Sequence, residues 1–253
     1  MDFLSPREPV NTWSHGLWLV LAVPGIWLLW YRARGDLGKQ ISLMVYGFTL
    51  VFCSACSTLF HGVRASDSQL KTFALLDHIS IYMLIAGTYT PIAWTFLRSH
   101  WRRGVLGLVW FWAAMGISIH LLCVNLPPWL YTSYYLGMGW GALFCYFEVA
   151  RWTSHRALFP IVSGGLLYSL GAIFNLLQAP VLWPGVFQSH ELFHVFVVAG
   201  SLAHFYFMFA VVGPSEVSLG FSPPTGSEFS PLTVQSLRDA RVICDRPLRV
   251  TPD

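Results

Sequence analysis

Charge is what this chain has least of. Lys, Arg, Asp and Glu make up 11% of its 253 residues, against about 25% in soluble domains. A solvated surface on all sides is therefore excluded. No Lys/Arg run is long enough to grip a nucleic-acid backbone, and the net charge is only +3. The five cysteines make no disulfide framework. Cys53 and Cys56 are spaced C-x-x-C, but inside an apolar, helix-length run with no βαβ context for thiol redox chemistry, so they read as small buried residues. The opening MDFLSPREPV lacks the basic stretch and apolar run of a cleaved signal peptide, so the first span is expected to serve as the targeting signal. Residues 213–253, rich in Ser, Pro, Thr and Gly, have little to bury and read as a disordered polar tail.

What the chain has in quantity is apolar and aromatic surface. It is 55% hydrophobic and 16% aromatic, with twelve Trp, a residue suited to the membrane–water boundary. A helix needs about 20 apolar residues to cross a bilayer. Seven stretches qualify, near 16–31, 41–62, 73–97, 104–125, 129–150, 159–179 and 188–212. Each must be helical, because backbone groups in lipid have to bond within their own segment. The expected fold is an all-α polytopic membrane protein, a seven-transmembrane helix bundle forming one domain over 1–212. Short connections, such as Asn125 to Pro128, make neighbouring spans antiparallel. Pro91, inside the third span, is expected to kink it or free a carbonyl.

Basic residues set the expected orientation. Arg32, Arg34, Lys39, Arg98, Arg102, Arg103, Arg151 and Arg156 fall on one side, with Arg238, Arg241, Arg246 and Arg249 in the tail. Arg7, Arg64 and Lys71 fall on the other. The count favours a cell-membrane protein with its C-terminus in the cytoplasm and its N-terminus outside.

Ionisable groups within spans are costly and by default suggest function. Ser57 and His61 end the second span, Asp77 begins the third, and His190 and His194 open the seventh. Counting spans puts all five near one membrane face. The i, i+4 spacing of His190 and His194 stacks them on one side of a helix. With His61 they offer three neutral nitrogens, a set that holds zinc and leaves a fourth position for water, whose pKa the metal lowers towards about 7. Asp77 can orient that water, take its proton or hold a ligand imidazole. Ser57 can hydrogen-bond the water or a substrate oxygen. His204 lies ten residues past His194, about 15 Å along a helix, outside any shared coordination sphere. His78 projects away from Asp77, and His15, His100, His120 and His155 read as structural or interfacial. Glu148 reads as a boundary residue.

The segments EPVNTWSHG (8–16), STLFH (57–61), DHISIYMLIAGTYTP (77–91) and SHELFHVFVVAGSLAHF (189–205) resemble the hemolysin III branch of the progestin and adipoQ receptor superfamily, which is related to the alkaline ceramidases. The resemblance covers nearly all of the membrane portion. It implies seven spans and an S-x-x-x-H, D, H-x-x-x-H constellation, with His61, His190 and His194 as zinc ligands and Asp77 and Ser57 as their polar partners. The receptor branch places its N-terminus and zinc on the cytoplasmic side, opposite to the side favoured by the basic residues here. It also carries a long N-terminal region that this sequence does not show, so sensing of a protein hormone is not expected.

The function expected from these readings is a zinc-dependent intramembrane hydrolase acting on a lipid amide or ester, with a membrane lipid as substrate or ligand. The alternative is a receptor or sensor with structural zinc. An intramembrane metalloprotease, from the literal H-E-x-x-H at 190–194, and a pore, from the hemolysin name, rank lower. No charged run lines any span to make an ion path.

Overall fold

Apolar runs bounded by caps and prolines become eight α-helices in the computed structural model of the chain, which describes residues 6–123 and 126–217. They are α1 (Pro9–Arg32), α2 (Leu37–Gly62), α3 (Asp67–Phe96), α4 (Ser99–Leu122), α5 (Pro128–Trp140), α6 (Leu143–Ala150), α7 (His155–Leu177) and α8 (Ser189–Phe207). The caps are legible in the chain. Asp36 accepts from the Lys39 amide at 2.9 Å and Ser154 from that of Ala157 at 3.2 Å, while Ser66 and Gln69 form a capping box. Pro9 and Pro128 stand in the first turns of α1 and α5, where no amide donor is needed. The chain is a polytopic, all-helical membrane protein: among the described residues six helical segments are long and apolar enough to cross a bilayer, namely α1 to α4, α7 and Ser189–Val212.

The remaining traverse, expected as one span over 129–150, is two helices. α5 stops at Trp140 and α6 starts at Leu143, with a turn at Gly141 and Ala142 between them. A break inside a membrane frees carbonyls that lipid cannot satisfy. Here the Tyr89 hydroxyl of α3 lies 2.8 Å from the carbonyl oxygen of Met138 and 3.0 Å from that of Gly139. The pair still runs from one face to the other. Tyr131 of α5 packs on His78 and His120, near the start of α3 and the end of α4. At the opposite end Cys145 and Val149 of α6 join Leu97 and Leu158 in the main core.

Three further boundaries differ from expectation. α1 starts at Pro9, seven residues before 16. Its first turns carry Asn11, Thr12 and His15, which lower the hydropathy yet point into the bundle, where Asn11 and His15 are buried. α3 starts at Asp67, six residues before 73, and continues past Pro91 to Phe96; the proline, having no N–H, leaves the Gly87 carbonyl without its in-helix donor, as expected. Beyond α8 the chain winds into a π-turn over Met208–Val212, and Lys39 Nζ donates to the Ser215 carbonyl at 2.6 Å. The first residues of the expected tail are thus fastened to α2. The rest of it, 218–253, lies outside the described residues, as do 124–125.

α7 and α8 pack backbone against backbone. A Cβ on Gly164 or on Gly200 would come within 2.9 Å of the other's carbonyl oxygen, the small-residue contact that brings membrane helices close. This brings the α7 end near Asn175 against the α8 start near His190. Replacing Tyr89 by Phe leaves the Met138 carbonyl without its partner, while that of Gly139 keeps the Ala142 amide at 3.2 Å. The expected cost is about 1 kcal/mol or more, read as a lower thermal unfolding midpoint in detergent. An unchanged midpoint would show that the break needs no latch.

Candidate metal centre

The end of α2 is sealed by the segment before α1, and that seal builds the site. The last carbonyls of a helix lack intrahelical partners. The Arg7 amide donates to the Gly62 carbonyl at 3.2 Å, the Glu8 amide to that of His61 at 3.0 Å, and Arg7 Nη2 to that of Phe60 at 2.7 Å. Glu8 is thereby set beside His61, and its Oε2 lies 2.5 Å from His61 Nδ1. That hydrogen bond holds the Glu8 carboxyl at a pKa of about 2 against the opposing effect of burial, with Asn11 and Arg7 lowering it further.

Asn11, on the first turn of α1, is fully buried and donates to Glu8 at 2.9 Å and to Glu191 at 3.3 Å. Glu191 in turn caps α8, accepting from the Gln188 amide at 2.8 Å. Both its oxygens are thus engaged with the helix start and Asn11, which leaves the Glu of the H-E-x-x-H pattern occupied structurally. Asn11 ties α1, α2 and α8 together at one depth.

His61, His190 and His194 meet there. One nitrogen from each lies within 4.8 Å of the others, a group able to hold a metal ion. His61 Nδ1 faces the Glu8 carboxylate, so it carries the proton and leaves Nε2 as a lone pair. Nε2 is buried and has no partner among the described residues. His190 Nδ1 lies 3.0 Å from Asn175 Oδ1, which fixes its tautomer in the same sense if that oxygen is the acceptor. The Nε2 atoms of His190 and His194 stand 3.2 Å apart. Two nitrogens bound at about 2.05 Å to one tetrahedral ion stand about 3.3 Å apart. The donor set, the tautomers of His61 and His190 and the spacing of the α8 pair therefore fit a divalent ion of the zinc type.

Asp77 Oδ2 lies 4.0 Å from His61 Nε2, and Ser57, one turn before His61 and almost fully buried, is placed to hydrogen-bond the Asp77 carboxylate. The five groups singled out by sequence thus converge. Three more emerge only from the fold: Glu8, Asn175 and His15. His15 is 4% exposed, both its nitrogens lack partners among the described residues, and its ring meets His194 edge to face at 4.8 Å. The spacing of Glu8, Asn11 and His15 at i, i+3 and i+7 was the available signal, since it puts all three on one helical face. His78 and His120 pair with each other, ring centroids 5.3 Å apart, and His120 Nδ1 lies 3.1 Å from the Tyr82 hydroxyl. Elsewhere His155 meets the Tyr146 hydroxyl, and Glu148 pairs with Arg98 and Arg151. Cys53 and Cys56 are buried and free.

From the three histidines a cavity of about 330 Å³ follows the bundle between α2, α3, α5, α7 and α8. Ser57, His61 and Asp77 line one end, and Leu97, Val149 and Leu158 the other.

These features define a multi-pass helical membrane protein with a buried three-histidine site at one face. Residues 3–205 match the Haemolysin-III related family. The chain belongs to that family, within the progestin and adipoQ receptor superfamily. It is 30% identical to a Hemolysin-3 of Bacillus cereus over 211 residues, 83% of this chain and 93% of that protein. It is 29% identical to the human Monocyte to macrophage differentiation factor, over 79% of this chain and 82% of that protein. It is 25% identical to the Drosophila melanogaster Adiponectin receptor protein, over 79% of this chain but only 49% of that longer one.

Partners that orient a ligating imidazole commonly set metal affinity. Glu8→Gln is expected to weaken Zn2+ binding by roughly 10–100-fold in competition with a chromophoric chelator. Unchanged affinity would show that Glu8 serves only the helix end.

Proposed function

We propose that this protein is a zinc-dependent intramembrane hydrolase acting on a lipid amide or ester. The observation that carries the reading is the junction of two features. A nitrogen triad, one pair of which stands at zinc-type spacing, sits at the polar end of a cavity whose far end is apolar. A lipid placed with its chain in the cavity brings its carbonyl to the triad.

In this reading His61, His190 and His194 hold the ion, which when bound supplies a Lewis acid and an activated water. Glu8 and Asn175 hold two of the imidazoles in the ligating tautomer. Asp77 takes a proton from the attacking water as its oxygen adds to the carbonyl carbon. It returns that proton to the leaving nitrogen or oxygen as the old bond breaks, so the net reaction consumes one water. Ser57 orients the Asp77 carboxylate. The burial of Ser57 and His61, each 2% exposed, keeps bulk water from this exchange. The distribution of basic residues favours the outer face for the site.

A panel of lipid amides and esters incubated with the purified protein tests this. Wild type should turn over at least one lipid, and a chelator or His61→Ala should abolish the turnover. Asp77→Ala should keep its metal and lose about 10²–10⁴ in rate. Full activity of Asp77→Ala would remove the proton-transfer role. No turnover of any lipid, with zinc retained, would overturn the hydrolase reading and favour a receptor or sensor in which the ion ties α2 to α8.

A further inference from the structure

His204 lies ten residues after His194 on α8, about 15 Å deeper at 1.5 Å per residue. It lines the same cavity, beside Tyr168 and Phe207. Its Nε2 is 3.1 Å from the main-chain carbonyl oxygen of Ile161 on α7. A carbonyl can only accept, so Nε2 carries the hydrogen and Nδ1 is left as a bare lone pair.

The ring is held on other sides too. Its Cδ2–Nε2 edge covers Gly164, where any side chain would collide with it. Tyr168 meets it edge-on, with ring centroids 5.2 Å apart. Nδ1 lies on the ring edge opposite Gly164, and none of the described residues donates to it. The hydroxyl of Tyr168 is engaged with Ser201, which also receives the Trp18 indole N–H at 2.8 Å. An acceptor with a fixed tautomer thus stands in the wall of an apolar chamber, where it is unfavourable until a donor meets it.

We propose that His204 is a second polar subsite of the cavity, accepting a hydrogen bond from a hydroxyl carried in mid-chain by the bound lipid. This rests on the reading of the cavity as a lipid-chain site with the carbonyl at the histidine triad. The separation selects the position of the hydroxyl. About 15 Å is the reach of roughly a dozen methylene groups, so a hydroxyl near the twelfth carbon meets Nδ1 and one near the sixth falls short. The ligand class is a mid-chain-hydroxylated fatty acyl compound. An unsubstituted chain fills the same space but leaves the lone pair unpaired. That is how a site built for a hydroxyl discriminates against the analogue lacking it.

The test is equilibrium binding of stearate, 12-hydroxystearate and 6-hydroxystearate to the purified, zinc-loaded full chain in detergent. For wild type, 12-hydroxystearate should bind roughly five- to tenfold more tightly than stearate, the effect of one hydrogen bond, and 6-hydroxystearate should show no such gain. In His204→Phe the ratio of 12-hydroxystearate to stearate affinity should fall to about one. In His204→Gln, whose amide can donate to Ile161 and still accept, part of the preference should persist. If the Phe variant fails to fold by thermal unfolding, the comparison of positional isomers on wild type decides alone. Equal affinity for stearate and 12-hydroxystearate, or a preference intact in folded His204→Phe, overturns the subsite while leaving the chain cavity standing. Binding of none of the three acids overturns both.

Discussion

Lipid offers no hydrogen bonds, and the architecture follows from that. Every polar group drawn into the bundle has to find its partner inside it. Where α5 breaks, Tyr89 covers the Met138 carbonyl and the turn amide of Ala142 that of Gly139. Where α2 ends, Arg7 and Glu8 cover the last three. Where α8 begins, Glu191 covers the amide of Gln188. The α2 seal and the α8 cap share Asn11. The three-histidine site is the place where two sealed helix ends are bound together, and its precision derives from those seals.

Against this background the unpaired atoms carry the meaning. His61 Nε2, His194 Nδ1 and both nitrogens of His15 are buried and unpartnered among the described residues. Such groups are costly to leave bare. A divalent ion at the triad would relieve the first of them, and the carboxylates of Glu8 and Asp77 would set two negative charges against its two positive ones. That balance matters because the first turn of α8, which carries His190, presents the positive end of a helix dipole to the same place. The ring of His15 sits edge to face against His194, positioned to meet whatever occupies the centre.

Much of this was legible in the sequence, and the failures have physical reasons. Hydropathy finds spans by average polarity, so it recovered α2, α3, α4, α7 and α8 with ends within six residues of those observed. It lost the start of α1 because Asn11, Thr12 and His15 are polar residues facing inward. The α5–α6 break was invisible because Gly137, Gly139 and Gly141 leave an apolar run apolar, and its stabilising contact comes from Tyr89, some fifty residues away. Span parity brought His61, Asp77, His190 and His194 to one face, since parity depends only on the number of crossings. Glu8 and Asn175 escaped it. Their roles arise from contacts across 53 and 15 residues; the shared face of Glu8, Asn11 and His15 hints at an inward role but does not name the histidine partner.

The claim on which the rest depends is that the triad binds a single metal ion through its imidazoles. Zinc-edge X-ray absorption on the purified protein tests it most directly. The account predicts one zinc per chain, three imidazole nitrogens at about 2.0–2.1 Å with one further light ligand, and loss of that signal in His61→Ala. No zinc, a sulfur shell at about 2.3 Å, or an unaltered spectrum in His61→Ala would contradict it.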